Sequence, residues 1–496
     1  MTRTVPTFAA AALAAAALAA GAAPALAGIP TKVLTPARQS CVQTLNYRYG
    51  LQITPGANKI VIDGHATDKL RPKVNGWIVG FRPGLERPDG SSPPVSQIHL
   101  HHAVWLVNFM PTYAAGEEKT RFTTPNGFGY RYKTSDNWIL NHMIHNLTPT
   151  PTKVYLTWQL QFIPDTSACA KGMTEVKTQW LDVEGGKAYP VFNVPYKGGK
   201  GGRWTYPDDV PGAYAADAAP RNQWVADRDA TLIGTAAHLH PGGLYGDLKL
   251  TRDGRTVTLF RSHAKYYEPA GAVSWDVSME ATPPKWRIAI KKGDILSVHG
   301  TYDTSKAAWY ESMAIMPVAI TLTPKGGIDP FSGKIPMQGY LTHGQLPENS
   351  DLQAGKPNPA YQDSRKLKDG PRVARVIVKN FTYEQGDLTL RGKASLPPVV
   401  PQGSSLTFFN EDAKSDVMHS ITGCSAPCAL TSGISFPLAN GIQFDSANLG
   451  FGPALFTAAA NRDTWDTPAT LKPGTYTYFC RIHPFMRGAF RVVKAT

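Results

Sequence analysis

The sequence predicts an all-β chain of successive sandwiches, and three observations carry that reading. Glycine (45) and proline (41) fill about one position in six of the 496 residues, a load that suits short strands and turns better than helix bundles. Short runs rich in β-branched and aromatic residues recur between turn clusters, as in AVWLVNF at 103–109, KVYLTWQLQF at 153–162 and AIMPVAITL at 314–322. Long apolar stretches of helical period are sparse. The hydrophobic content of 42% supports buried cores and excludes global disorder, and at roughly 100–200 residues per domain the length allows two to four domains.

Taken in order, the chain divides into five parts. Arg3, an Ala/Leu run over 8–20 and Ala25-Leu26-Ala27 read as a secretory signal peptide over 1–27. The mature chain is then expected in the periplasm, the cell envelope or outside the cell, where disulfides are allowed, with no transmembrane span. Residues 28–185 and 186–325 make two sandwiches. The second carries a Gly/Pro/Ala-rich loop over 197–220, a hairpin signal at Asp253-Gly254 and a turn at Lys292-Gly293-Asp294. Residues 326–370 read as a linker in which Met337 and His343 are solvated, and 371–496 form a separate module. The formal charge of +14 is scattered without a run of five, which describes a solvated basic surface and not a nucleic-acid footprint. The chain has no Walker loop, no Gly-x-Ser-x-Gly elbow and no HExxH word; KGGKGG at 197–202 lacks the strand–helix frame that phosphate binding requires.

The densest chemistry lies in YFCRIHPFM at 478–486, where Cys480, His483 and Met486 follow one another at three-residue steps, with His419 about sixty residues upstream. Two imidazoles and a thiolate with a weak thioether make a blue-copper electron-transfer set; a thioether is a poor zinc ligand. This loop resembles that of the cupredoxins, in the short amicyanin form, over about 372–496. The resemblance implies a cupredoxin β-sandwich with a type 1 copper on His419, Cys480 and His483 and an axial Met486. Cys424 and Cys428 are close enough in sequence to bridge.

Two histidine clusters precede it: His99, His101 and His102 with His142 and His145, and His238-Leu239-His240 with Met313 downstream. Residues i and i+2 of a strand share a face, so His238 and His240 can converge on one ion. With the Met313 thioether they give an N,N,S set with an open position, suited to copper that meets dioxygen. These segments, with the 249–260 hairpin and the run from Lys292 to Met313, resemble the copper type II, ascorbate-dependent monooxygenases, the family of the peptidylglycine α-hydroxylating and dopamine β-monooxygenases. The resemblance implies two jelly-roll-like sandwiches facing across a solvent-filled cleft, with one or two type 2-like coppers. His238, His240 and Met313 would be the catalytic oxygen-binding site. His101 and His102 would hold the electron-transferring metal with His145 or His142, which strand alternation leaves open. It also implies one disulfide, Cys41 with Cys169, and makes His299, where the family has a cysteine, a fourth ligand or a group behind the ligands. With both pairs bridged, Cys480 is the odd thiolate left for copper.

The function so predicted is an exported copper-dependent oxidoreductase, monooxygenase-like, with a tethered type 1 copper domain. Its reductant is unassigned and its substrate is a small molecule or peptide. The alternatives are a non-catalytic copper-binding or electron-transfer protein with a degenerate monooxygenase-like region, and an envelope interaction module.

Overall fold

A computed structural model describes residues 40–495 except 57–58, 96, 149, 188, 216–220, 268–271, 273–274, 306–307, 346–361, 389–394, 416, 425, 427–443, 451–461 and 484–485. The signal-peptide segment therefore lies outside the described residues, as does most of the insert after Cys424. The protein is all-β: among the described residues its elements are strands with three short 3-10 turns. No helix among the described residues is long and apolar enough to cross a membrane.

The longest strand shows why the sequence folds this way. In Thr152–Pro164 buried and half-buried residues alternate, so Val154, Leu156, Trp158, Leu160 and Phe162 form one apolar face. That strand pairs with Gln43–Ile53 on one side and Gly76–Glu86 on the other. Facing it is a four-stranded sheet of Val61–Asp63, Trp138–Asn146, Ile98–Val107 and Met110–Ala115. Trp105, Trp138, Trp158 and Phe81 fill the space between. The Cys41–Cys169 disulfide joins residues 128 apart, and closing so long a loop contributes about 4–5 kcal/mol in the chain-entropy account.

The second sandwich packs Ala230–Thr235, Val318–Thr321 and Ile288–Ile290 against a seven-stranded sheet centred on Ile295–Asp303, Gly243–Arg252 and Arg255–Tyr266. Its hairpin turns at Asp253 (φ 49°) and Gly254 (φ 74°), the left-handed pair that matches strand twist. The two sandwiches are not separate bodies across a gap. Thr174–Gln179 pairs with Phe128–Tyr132 of the first and Val318–Thr321 of the second, so one nine-stranded sheet runs through both.

Three local expectations are corrected. Pro317, lacking an N–H, splits the run at 314–322 into Ala314–Ile315 and Val318–Thr321. The loop over 197–220 contains a strand, Arg203–Tyr206, paired with Ile295–Asp303. In the expected linker, Ile328, Phe331 and Ile335 pack on the second core and Tyr340–Leu341 joins the strand Val277–Ala281. His343 there is buried, not solvated.

The C-terminal unit is two four-stranded sheets. Thr382–Tyr383, Arg375–Lys379, Thr407–Asn410 and Thr464–Asp466 form one; Val399–Pro401, Arg487–Val493, Gly474–Phe479 and Thr422–Cys424 form the other. Phe408, Tyr478 and Phe490 pack between them.

Candidate metal centres

The C-terminal centre follows from strand register. Phe479 pairs with Arg487 across one hairpin, so the seven residues 480–486 are its loop, closed by the Met486 N–H donating to His483 O (2.8 Å). Phe479 also pairs with Thr422, which brings the residues just before Thr422, and with them His419, beside Cys480. Cys480 Sγ lies 3.8 Å from His419 Nδ1 and 3.7 Å from His483 Nδ1, and the two nitrogens are 3.2 Å apart. Among the described residues this is the His/Cys/Asp/Glu set whose ligand atoms all lie within 4.8 Å. Met486 is fully buried in the same core.

The electrostatics suit a soft cation. His419 Nε2 donates to Asp412 Oδ2 at 3.0 Å, which turns Nδ1 toward the sulfur. Burial alone would raise the Cys480 thiol, but His419 and the N–H groups of His483 and Ser420 outweigh it and lower it. Those N–H groups donate to Sγ at 3.3 Å each. Burial likewise opposes the charging of His419, yet Asp412 and Cys480 hold it up to about 9. The donor set, two imidazoles, a stabilised thiolate and a thioether on the same loop, fits copper.

In the first sandwich the histidines owe their arrangement to a β-bulge. Register slips between Leu100 and His102 on the strand Ile98–Val107, so His101 is the extra residue. His99 pairs with His145 and His102 with Met143, whereas His142 pairs with Ala103. His145 thus shares a face with His99 and His102, and His142 lies on the opposite face against Tyr49. The His145 ring sits 4.8 Å from that of His99 and 4.9 Å from that of His101. His99 stacks on Trp275 at 4.4 Å. His102 uses both nitrogens: Nε2 is 3.0 Å from Asn141 Oδ1 and Nδ1 is 3.1 Å from His101 Nδ1.

The second set comes from two strand ends. His238 pairs with Ile315 and Leu239 with Ala314; one step further, the register sets His240 opposite Met313 on the face that carries His238. His238 Nδ1 donates to Glu118 Oε2 at 2.9 Å and His240 Nδ1 donates to the Glu311 carbonyl. Since carboxylate and carbonyl only accept, each ring donates through Nδ1, which leaves Nε2 as the atom a metal would take. Both Nε2 atoms are buried without a hydrogen-bond partner, the arrangement of a histidine ready for a metal. Burial pushes His99, His101 and His240 well below the usual imidazole range and His102 and His145 to about 4, so the rings are neutral.

The two sets are in contact. His101 and His240 rings lie 4.5 Å apart, because the shared sheet draws the sandwiches together where the family pattern implied an open cleft between sites. The rings form a wall. On one side, His102, His238 and Met313 line a cleft of about 1280 Å³. On the other, His101, His145, His240 and His483 line a cavity of about 140 Å³. His299 stands apart: Nδ1 is 2.7 Å from Asp208 and Nε2 is 2.9 Å from Ser297, so neither nitrogen is left for a metal and the ligand reading is corrected.

The C-terminal unit docks on this cavity. Arg481 donates to the Ala308 carbonyl and lies over the Trp309 and Tyr310 rings, while Asp445 pairs with it at 2.9 Å. Gly56, with φ 60°, leaves room for His483: a β-carbon there would stand 2.6 Å from Nε2. Gly56 N–H donates to the carbonyl of Asn146, the residue after His145 (2.8 Å).

Sequence reasoning missed Glu118, Asn141, Trp275, Asp412 and Gly56. Only the charged triplet Glu117-Glu118-Lys119, buried here, carried a local hint. The Cys41–Cys169 bridge is present; Cys428 lies outside the described residues, so its pairing with Cys424 is not described. Cys480 is the free cysteine among the described residues.

No family model matches the chain, and no curated protein matches it. Among solved structures, a purple cupredoxin from Nitrosopumilus maritimus aligns at 21% identity over 24% of this chain and 100% of its own, with a TM-score of 0.16. The copper(I) form of an amicyanin variant aligns at 20% identity over 28% of this chain and 95% of its own (TM-score 0.15). A copper-containing nitrite reductase from Thermus scotoductus aligns at 13% identity over 53% of this chain and 55% of its own (TM-score 0.16).

Proposed function

We propose that this chain is an exported copper-dependent oxidoreductase, in which a type 1 copper carrier, the C-terminal unit, serves a monooxygenase-like module made of the first two sandwiches. The buried trio of His419, Cys480 and His483 carries the copper reading; the open Nε2 atoms of His238, on the cleft, and His240, on the small cavity, extend it to the first two sandwiches. Copper, when bound, supplies a one-electron couple at the first and dioxygen chemistry at the second. The rest is the work of the chain. Asp412 fixes the His419 tautomer, Ser420 and His483 N–H groups hold the sulfur charge, and Glu118 and the Glu311 carbonyl aim His238 and His240. The location of His483 on the cavity shared with His101, His145 and His240 supports a redox partnership within one chain.

Copper titration of the full chain tests this. The expected result is about three copper per chain, one of them giving an intense thiolate-to-copper absorption, with reductant-driven oxygen uptake that H240A abolishes. Oxygen uptake indifferent to H240A would remove the catalytic half.

A second reading, a copper-binding electron-transfer protein whose cleft sites are degenerate, is favoured by His102, whose two nitrogens are both engaged. One copper per chain, all of it blue, selects that reading.

A further inference from the structure

Two hairpins of this chain carry the same two-residue tip. Asn108-Phe109 joins Ile98–Val107 to Met110–Ala115, with Val107 opposite Met110. Asn380-Phe381 joins Arg375–Lys379 to Thr382–Tyr383, with Lys379 opposite Thr382. All four tip residues have positive φ, 51° and 67° in the first and 51° and 60° in the second. Such a tip favours glycine in its second position, and a bulky side chain there is strained. Phe381 has a use for its ring, which lies 5.0 Å from that of His483 and 5.7 Å from that of His419. The ring of Phe109 faces solvent: the residue is 69% exposed, and Met110 beside it is 62% exposed. Strain at a position whose side chain does not pack within the chain points to a use outside it.

The loops beside this tip are tied to it. Asn108 exchanges hydrogen bonds with Asn137 (2.7 and 2.9 Å) and donates to Asp136 Oδ1 (3.0 Å). Arg71 donates to the Asp136 carbonyl, and Asn75 Oδ1 accepts from the Thr134 N–H at 2.8 Å. One end of the first sandwich thus gathers three exposed apolar side chains, Val74, Phe109 and Met110, with Arg71 and the exposed Lys69, Lys73 and Lys133. No carboxylate among the described residues pairs with these four cations. The acids nearby are engaged: Asp136 accepts from Asn108 and the Lys133 N–H, Asp68 faces His65, and Asp165 pairs with Arg131. We propose that this end of the first sandwich docks on an anionic lipid surface, Phe109 and Met110 entering the interface and the cations meeting the head groups. Apolar tips on separate loops, ringed by lysines, suit a fluid anionic interface better than a shaped pocket. The docked end is also the far end of the cleft wall that starts at His102 and continues through Val104 and Leu106 to Phe109. The docking goes beyond the function proposed above, and neither rests on the other.

The test is co-sedimentation of the full chain with vesicles of phosphatidylcholine alone and of an equal mixture of phosphatidylcholine and phosphatidylglycerol. Binding is expected on the mixed vesicles, weakening as salt is raised. F109G should weaken it about tenfold while leaving Tm unchanged or raised, because glycine relieves the strain at the tip. K73Q and K133Q should each weaken it about fivefold at low salt. K472Q, an exposed lysine of the C-terminal unit, should leave it unchanged, which separates this face from the scattered positive charge. No binding to the mixed vesicles, F109G binding as tightly as the wild type, or K472Q costing as much as K73Q overturns the proposal. So does a lower Tm in F109G, which would give Phe109 a structural role. A dimer in sedimentation velocity that F109G splits would assign the face to a second copy and overturn it too. If F109G does not fold, the wild type and the lysine variants decide it. Copper takes no part in the docking, so failure here leaves the copper reading intact, and failure of copper binding leaves the docking intact.

Discussion

At the C-terminal centre three of the four donors lie on one hairpin loop, 480–486, whose ends are fixed by the Phe479–Arg487 pair. In the ring wall the histidines come from separate strands of two sandwiches, which Thr174–Gln179 ties into one sheet. The first site is closed by local chain, and its ligand atoms already lie within 4.8 Å. The second is a wall of rings in which His101 and His102 bond to each other. A loop that prebuilds its site needs little rearrangement to take an ion. The wall is assembled from distant strands, and one of its rings, His102, already has both nitrogens engaged.

Four substitutions break or sharpen that contrast. C480S should have the largest effect: complete loss of the intense visible absorption and of one copper per chain, with cleft copper unchanged by metal analysis. Loss of every copper would show that the cleft depends on the loop. E118Q comes next. Removing the carboxylate that holds His238 should cost about 10–100-fold in cleft copper affinity by competition with a chelator, leaving the blue absorption untouched; no change would mean that His238 does not bind through Nε2. H299Q is the control, expected to leave copper stoichiometry unaltered because both ring nitrogens are engaged.

The smallest effect is a pH dependence. Burial opposes ionisation of Asp208, but its hydrogen bond to His299 prevails and lowers the carboxyl from 3.8 to about 2. A depressed carboxylate contributes stability above its unfolded value, and that contribution is lost as pH falls through about 2. Since Asp208 is 35% exposed, solvent screening limits it to about 1 kcal/mol or less. D208N should therefore lower Tm slightly near neutral pH, with the difference vanishing in strong acid.

The contrast also explains what could be read from sequence. Cys480, His483 and Met486 fall within seven residues of one loop, so their spacing is their geometry. The alternation in 152–164 was equally legible, since burial follows a period of two. The choice between His145 and His142 was not, because it turns on a bulge at His101 in another strand, which no local pattern marks. Glu118 and Asn141 reach their histidines across the sheet or between sandwiches. The contact of His101 with His240 depends on the joining of two sheets, where segment resemblance implied separation. His343 was misjudged because polar neighbours in sequence hid a place under the strand Val277–Ala281.

Gly56 sets how the parts of the molecule can communicate. With no side chain there, the edge of His483 rests on backbone that is hydrogen-bonded to the residue after His145. In the redox partnership proposed above, this close approach of His483 to Gly56 would give an electron a short path between the two centres. G56A would act as a wedge, pushing on His483 and Phe381 while leaving the identity of every metal donor unchanged. It would separate the wiring of this protein from its metal content.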